Sequence, residues 1–117
     1  MTTHDQRFRR IAIAEASAAV SLHPQTLRKY ERAGLLRPAR REGGSRHYSN
    51  EDMQRLAMIK HLNEGRGLNI AGLALALALH DEVSALLDTM SAIEPDRAPR
   101  VARERLRHIL TLFEPEV

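Results

Sequence analysis

Residues 23–38 read HPQTLRKYERAGLLRP. Pro24 suits the first position of a helix, because its ring presets φ and its missing N–H is one that a helix start leaves unpaired anyway. Gly34 supplies a left-handed stop. Between them Leu27 and Tyr30 share one side at i and i+3, leaving Gln25, Arg28, Lys29 and Arg32 mostly on the other. A helix with a narrow apolar side and a cationic remainder is either a solvated surface helix or one shaped to meet something anionic. The flanking sequence separates these two readings.

Upstream, residues 1–10 are polar and aperiodic, and are expected to form a flexible basic arm bearing Arg7, Arg9 and Arg10. IAEASAAV then places Ala16, Ala19 and Val20 at i, i+3 and i+4, a short helix whose small residues let another helix approach closely. Ser21–His23 reads as a turn, so two short helices meet at a tight corner, the helix-turn-helix pattern. Downstream, LLRPARREGGSRHYS carries Pro38 and the Gly43-Gly44 pair, which predicts a small hairpin with its tip at residues 41–45. Arg37, Arg40, Arg41 and Arg46 crowd this stretch, with Tyr48 beside them.

Ser49 and Asp52 form a capping-box pattern ahead of a third helix bearing Met53, Leu56, Ile59 and Lys60, which Gly65 and Gly67 end. Asn69 can cap a fourth. In IAGLALALALH the leucines alternate as in a strand, yet Ile70, Leu73, Ala74 and Leu77 also fit a helix, and the alanines favour helix. Val83, Leu86, Leu87, Met90 and Ile93 continue or restart it, EPDRAP breaks it, and Asp96 or Arg97 opens a terminal helix. There Ala102, Leu106, Ile109 and Phe113 form a short heptad seam. These apolar segments predict either dimerisation or folding back on the domain.

The 117 residues allow one modest domain with an appendage. Hydrophobic residues make up 43% and aromatics 3%, so the core must be largely aliphatic and the fold mostly α. Lys and Arg outnumber Asp and Glu by 18 to 15, with a pI near 9.9, and the clustering of the cations points to nucleic acid. There is no cysteine for a disulfide, thiolate metal site or redox switch. His4, His23, His47, His61, His80 and His108 show no metal-ligand spacing, and no phosphate loop or catalytic carboxylate pair stands out, so neither metal, cofactor nor enzymatic activity is expected. Glu31 is read as a helix ion pair with Arg28. No signal peptide or uncharged apolar run of membrane length is found, so a cytoplasmic, nucleoid-associated protein with no membrane partner is expected.

Taken jointly, IAEASAAVSLHPQTLRKYERAGLLRP, GSRHYSNEDMQRLAMIKHL and GLNIAGL resemble the MerR family of winged helix-turn-helix bacterial transcription regulators, over residues 11–79. Within it, HPQTLRKYERAGL with GLNIAGL looks most like the heat-shock repressor branch. His23 departs from the Ser or Thr that the family commonly has at this position, and His is a poorer N-cap. The resemblance implies a mostly α winged helix-turn-helix domain at 11–79 and a helical tail at 80–117 for dimerisation or partner binding.

It also implies that residues 24–33 are a recognition helix for double-stranded DNA, presenting Gln25, Thr26, Arg28, Lys29 and Tyr30. Arg40, Arg41, Arg46 and Tyr48 would serve on the wing, and Lys60 on the DNA backbone. Leu86, Met90, Leu106, Ile109 and Phe113 are the expected dimer contacts. The branch implies a homodimeric repressor of heat-shock or chaperone genes on an inverted-repeat operator, with a chaperone as co-repressor. The other reading is a chaperone modulator that binds a J-domain co-chaperone instead of DNA, which GLALALALHDEVSALL resembles. Replacing Arg28 and Arg46 together by Ala is expected to weaken DNA binding and leave folding intact.

Overall fold

The computed structural model describes residues 11–40, 46–93 and 100–115. The N-terminal arm, the hairpin tip at 41–45 and the EPDRAP break lie outside them. The chain begins with a short strand, β1 (Ile11–Ala12), and passes directly into α1 (Ile13–Val20). Ser21 ends α1 in the left-handed conformation, φ 55°, where the Leu22 N–H returns to the Ser17 carbonyl at 2.9 Å. This reversal makes the corner that the sequence predicts, with Ser in a place glycine more often fills.

After the corner comes α2 (Pro24–Arg32). His23 does cap it: the imidazole Nδ1 accepts the Gln25 N–H at 3.0 Å, the role a Ser or Asp oxygen usually takes. Gly34, φ 77°, closes the other end, with the Gly34 N–H on the Glu31 carbonyl and the Leu35 N–H on the Tyr30 carbonyl. That pair of bonds is a Schellman stop, and it turns Leu35 and Leu36 into the core.

Strands β2 (Ala39–Arg40) and β3 (Arg46–Tyr48) form the expected hairpin, registered Ala39 with His47 and Arg40 with Arg46. On its other edge β3 pairs with β1, Ile11 facing Tyr48, so the hairpin is part of a three-stranded antiparallel sheet ordered β1-β3-β2. A two-residue strand has no alternation to detect, which is why β1 escapes sequence reading.

Helix α3 (Asn50–Lys60) opens on the full Ser49–Asp52 capping box and runs into a single π-helical turn, His61–Gly65. Gly67, φ 73°, completes the reversal, and the Asn69 side chain accepts the Gly72 N–H at 2.9 Å to cap α4 (Ile70–Ile93). The leucine-rich stretch is therefore helix, continuous through Asp81. Leu73 and Leu77 are buried with Leu27, Tyr30, Tyr48, Leu56 and Ile59, whereas Leu75, Leu79 and Leu86 are 50–65% exposed. Leucines placed two apart on a helix point to opposite sides, so a strand-like alternation gives α4 two apolar faces.

By length and composition, residues 70–92 of α4 could cross a membrane, with a mean hydropathy of 1.6. That differs from the expectation, which rests on uninterrupted runs and stops at His80, Asp81 and Glu82. In this fold, however, Leu73 and Leu77 complete the domain core.

The last helix, α5 (Arg100–Thr111), packs back along α4. Its half-buried apolar residues are Ala102, Leu106 and Leu110, followed by Phe113 in the turn past its end, while Val101, Ile109 and, in the same turn, Leu112 are exposed. The seam is thus shifted from Ile109 to Leu110, as a helix of 3.6 residues per turn allows at either spacing.

Candidate nucleic-acid interface

Helix α2 is seated by its apolar side. Leu27 is wholly buried and Tyr30 is 3% exposed, so the ring of Tyr30 belongs to the core and its expected role as a contact residue is corrected. Burial and the charge of Glu64 push its phenol pKa up. The opposite side presents Gln25, Lys29 and Arg32 exposed, with half-buried Thr26 and Arg28 at its flanks. These are donors on a rigid rod, suited to phosphate oxygens and base edges.

The wing is fastened to this rod through Glu31. Its carboxylate, 7% exposed, accepts from Arg46 Nε at 2.5 Å and from the Tyr48 hydroxyl at 2.6 Å. Two groups on β3 thus bond the carboxylate that the sequence pairs with Arg28 along the helix. Burial first, and then the hydrogen bond to the Glu31 carboxylate, pushes the Tyr48 phenol far above its ordinary value, so it remains a donor. Tyr48 is fully buried, which removes it from the expected wing contacts and makes it a support of the wing.

Arg46 combines two situations: Nε is held by Glu31, while a quarter of the side chain remains accessible. Removing it leaves a buried carboxylate with one partner fewer, so Arg46→Ala carries a stability cost besides the loss of a cation. The backbone of Arg40 pairs with Arg46 in the hairpin, and Arg41 lies outside the described residues.

Lys60 sends Nζ to the Val20 carbonyl at 2.7 Å, closing the C-terminal end of α1. Its counterpart is Arg55, which sequence reading does not single out. Arg55 Nε donates to the Leu35 carbonyl at 2.8 Å, and its two terminal nitrogens reach both oxygens of Asp81 at 3.2 Å. Burial pushes the Asp81 carboxyl up, but the hydrogen bonds and charges of Arg55 and His80 outweigh it and hold it below its ordinary value. No local spacing announces a pair 26 residues apart.

The structure therefore assembles a helix-turn-helix, with a cationic outer side on its second helix, beside a wing anchored to that same helix. Residues 11–79 match the MerR HTH family of regulatory proteins. The chain belongs to the MerR family. A protein of this family, the putative heat shock protein HspR of Streptomyces coelicolor, is 39% identical over 74 residues, covering 63% of this chain and 49% of its own. A probable heavy metal-dependent transcriptional regulator of Haemophilus influenzae is 39% identical over 70 residues, 59% of this chain and 54% of its own. The nodulation protein NolA of Bradyrhizobium elkanii is 34% identical across the whole of this chain and 54% of its own length. The chain spans about half the length of these curated relatives. Among the described residues no three His, Asp or Glu side chains are grouped to hold a metal.

Proposed function

We propose that this MerR-family chain is a sequence-specific DNA-binding transcriptional regulator, cytoplasmic and nucleoid-associated, that represses heat-shock or chaperone genes. The observation that carries the DNA reading is the placement of α2, whose buried Leu27 and Tyr30 leave Gln25 and Lys29 outward, flanked by half-buried Thr26 and Arg28, beside the wing. These four residues, with Arg40, Arg41 and the accessible part of Arg46, are the DNA-contacting set. Lys60, already on the Val20 carbonyl, adds to it only through its remaining donors. The heat-shock assignment is supported by the likeness to the Streptomyces protein of that description and by GLNIAGL.

The chain acts as a homodimer on an inverted repeat, with half-sites about one helical turn or a multiple apart. Exposed Leu75, Leu79 and Leu86 on α4, exposed Ile109 and Leu112, and half-buried Met90 offer apolar surface for the second copy. Leu106 and Phe113, which face inward along α4 or onto His80, contribute by holding α5 in place. A chaperone co-repressor is the regulatory partner in this reading.

The test is DNA selection from a random library followed by gel-shift titration at several salt concentrations. A palindromic site, bound with a steep salt dependence, is the expected result. Absence of any selected duplex, with retention of a J-domain protein in a pull-down, would establish the chaperone-modulator reading instead.

A further inference from the structure

Helix α3 grips both helices of the helix-turn-helix by their ends: Lys60 holds the carbonyl of Val20, and Arg55 the carbonyl of Leu35. The second grip does not stop there. The guanidinium of Arg55 is a planar fork, so the edge that meets Asp81 and the Nε that meets Leu35 move as one body. Asp81 Oδ1 also lies 3.2 Å from His80 Nδ1, and the His80 ring meets Phe113 edge-on, with centroids 5.2 Å apart and planes at 66°. A contiguous line of contacts thus runs from the end of the C-terminal helix to the residue that closes the recognition helix, since the Leu35 N–H is itself on the Tyr30 carbonyl.

One end of this line is held by helix packing. A twelve-residue helix such as α5 is marginal by itself and is kept by packing. Its inward residues are half-buried, without one fully buried anchor. We propose that Arg55 and Asp81 form a latch coupling the docking of the C-terminal helix on His80 to the seating of the recognition helix, so that displacing that helix lowers DNA affinity without removing any DNA contact. The proposal rests on the reading of α2 as the DNA-reading helix. Arg55 and Asp81 are positioning residues in it.

The experiment uses the full chain, with Asp81→Ala, Phe113→Ala, their double variant and Arg55→Lys. Hydrogen exchange over residues 33–37 is measured without DNA, and affinity is measured on the duplex that the wild type selects from a random library. Each single variant should exchange faster at 33–37 and bind about fivefold or more weakly, within the range of ordinary coupling. The salt slope should be unchanged, because no phosphate contact is lost. The double variant should be no weaker than Asp81→Ala alone, since both act on one line. Unchanged exchange at 33–37, or additive losses in the double variant, overturns the latch. If the wild type selects no duplex, the DNA reading has failed, and exchange still judges the latch: faster exchange in Asp81→Ala and Phe113→Ala supports it, and none overturns it.

Discussion

Glu31 on the recognition helix and Arg46 on the wing form an ion pair at 2.5 Å, with the Tyr48 hydroxyl on the other oxygen of the same carboxylate. The pair turns the wing and helix into one unit. Arg46→Ala leaves the Glu31 carboxylate buried with one partner fewer, and should cost on the order of 2 kcal/mol, below the range for a fully buried pair because Arg46 is partly solvated. Tyr48→Phe should cost about 1–2 kcal/mol for the lost bond to a charged acceptor. Urea unfolding followed by circular dichroism measures both, and a loss within error for both variants contradicts the shared role.

Arg28→Ala with Lys29→Ala tests the contact set while keeping Glu31, Arg46 and Tyr48 in place. Stability should change by less than about 0.5 kcal/mol, as for surface positions. DNA affinity should fall, and the slope of log affinity against log salt should flatten by up to about 1.8, if each cation neutralises one phosphate. A slope identical to wild type removes both residues from the phosphate contacts.

The imidazole cap on α2 predicts a modest loss on truncation. His23→Ala should lower stability by about 1 kcal/mol, and His23→Ser should restore it, because a hydroxyl can accept the same Gln25 N–H. Thermal melts of the three proteins compare them directly.

Exposed Ile109 and half-buried Leu106 separate two effects that a double variant merges. Ile109→Asp and Leu86→Asp should lower the sedimenting mass from dimer to monomer with secondary structure intact. Leu106→Asp should instead loosen α5 from α4 and increase its protease sensitivity. A wild type that sediments as a monomer at all concentrations sinks the dimer.

Acid should open the Arg55–Asp81 contact. The folded Asp81 carboxyl titrates below its ordinary value of 3.8, so its stabilising contribution is complete above that value and is lost as pH falls through the lower, folded one. Between about pH 5 and pH 2, the urea midpoint of the wild type should fall more than that of Asp81→Asn. Parallel curves would show that this carboxylate contributes nothing to acid sensitivity.

The elements legible in the amino-acid sequence are those with local signals. Pro24 and Gly34 bound α2, Ser49 and Asp52 start α3, Asn69 starts α4, and Gly65 with Gly67 ends the third helix, since each acts through its own backbone conformation or through bonds to backbone a few residues away. The outward residues of α2 are legible for the same reason: Leu27 is buried and Gln25 is not, as helical spacing requires.

Spacing is silent on what lies opposite a residue across the fold. Tyr30 and Tyr48 carry both an apolar ring and a polar tip, so their sequence positions suit a DNA contact or a core equally well, and packing puts them in the core. Glu31 has a cation one turn earlier in its own helix, yet Arg46 and Tyr48, which bond its carboxylate, stand 15 and 17 residues away on β3. Arg55 shows no pattern at all, although it joins the close of the recognition helix to α4. Helix starts, stops and faces are thus properties of neighbouring residues, set by backbone geometry. Which charges meet, and which aromatic is buried, depends on contacts between distant segments, and those come into being once the chain has packed.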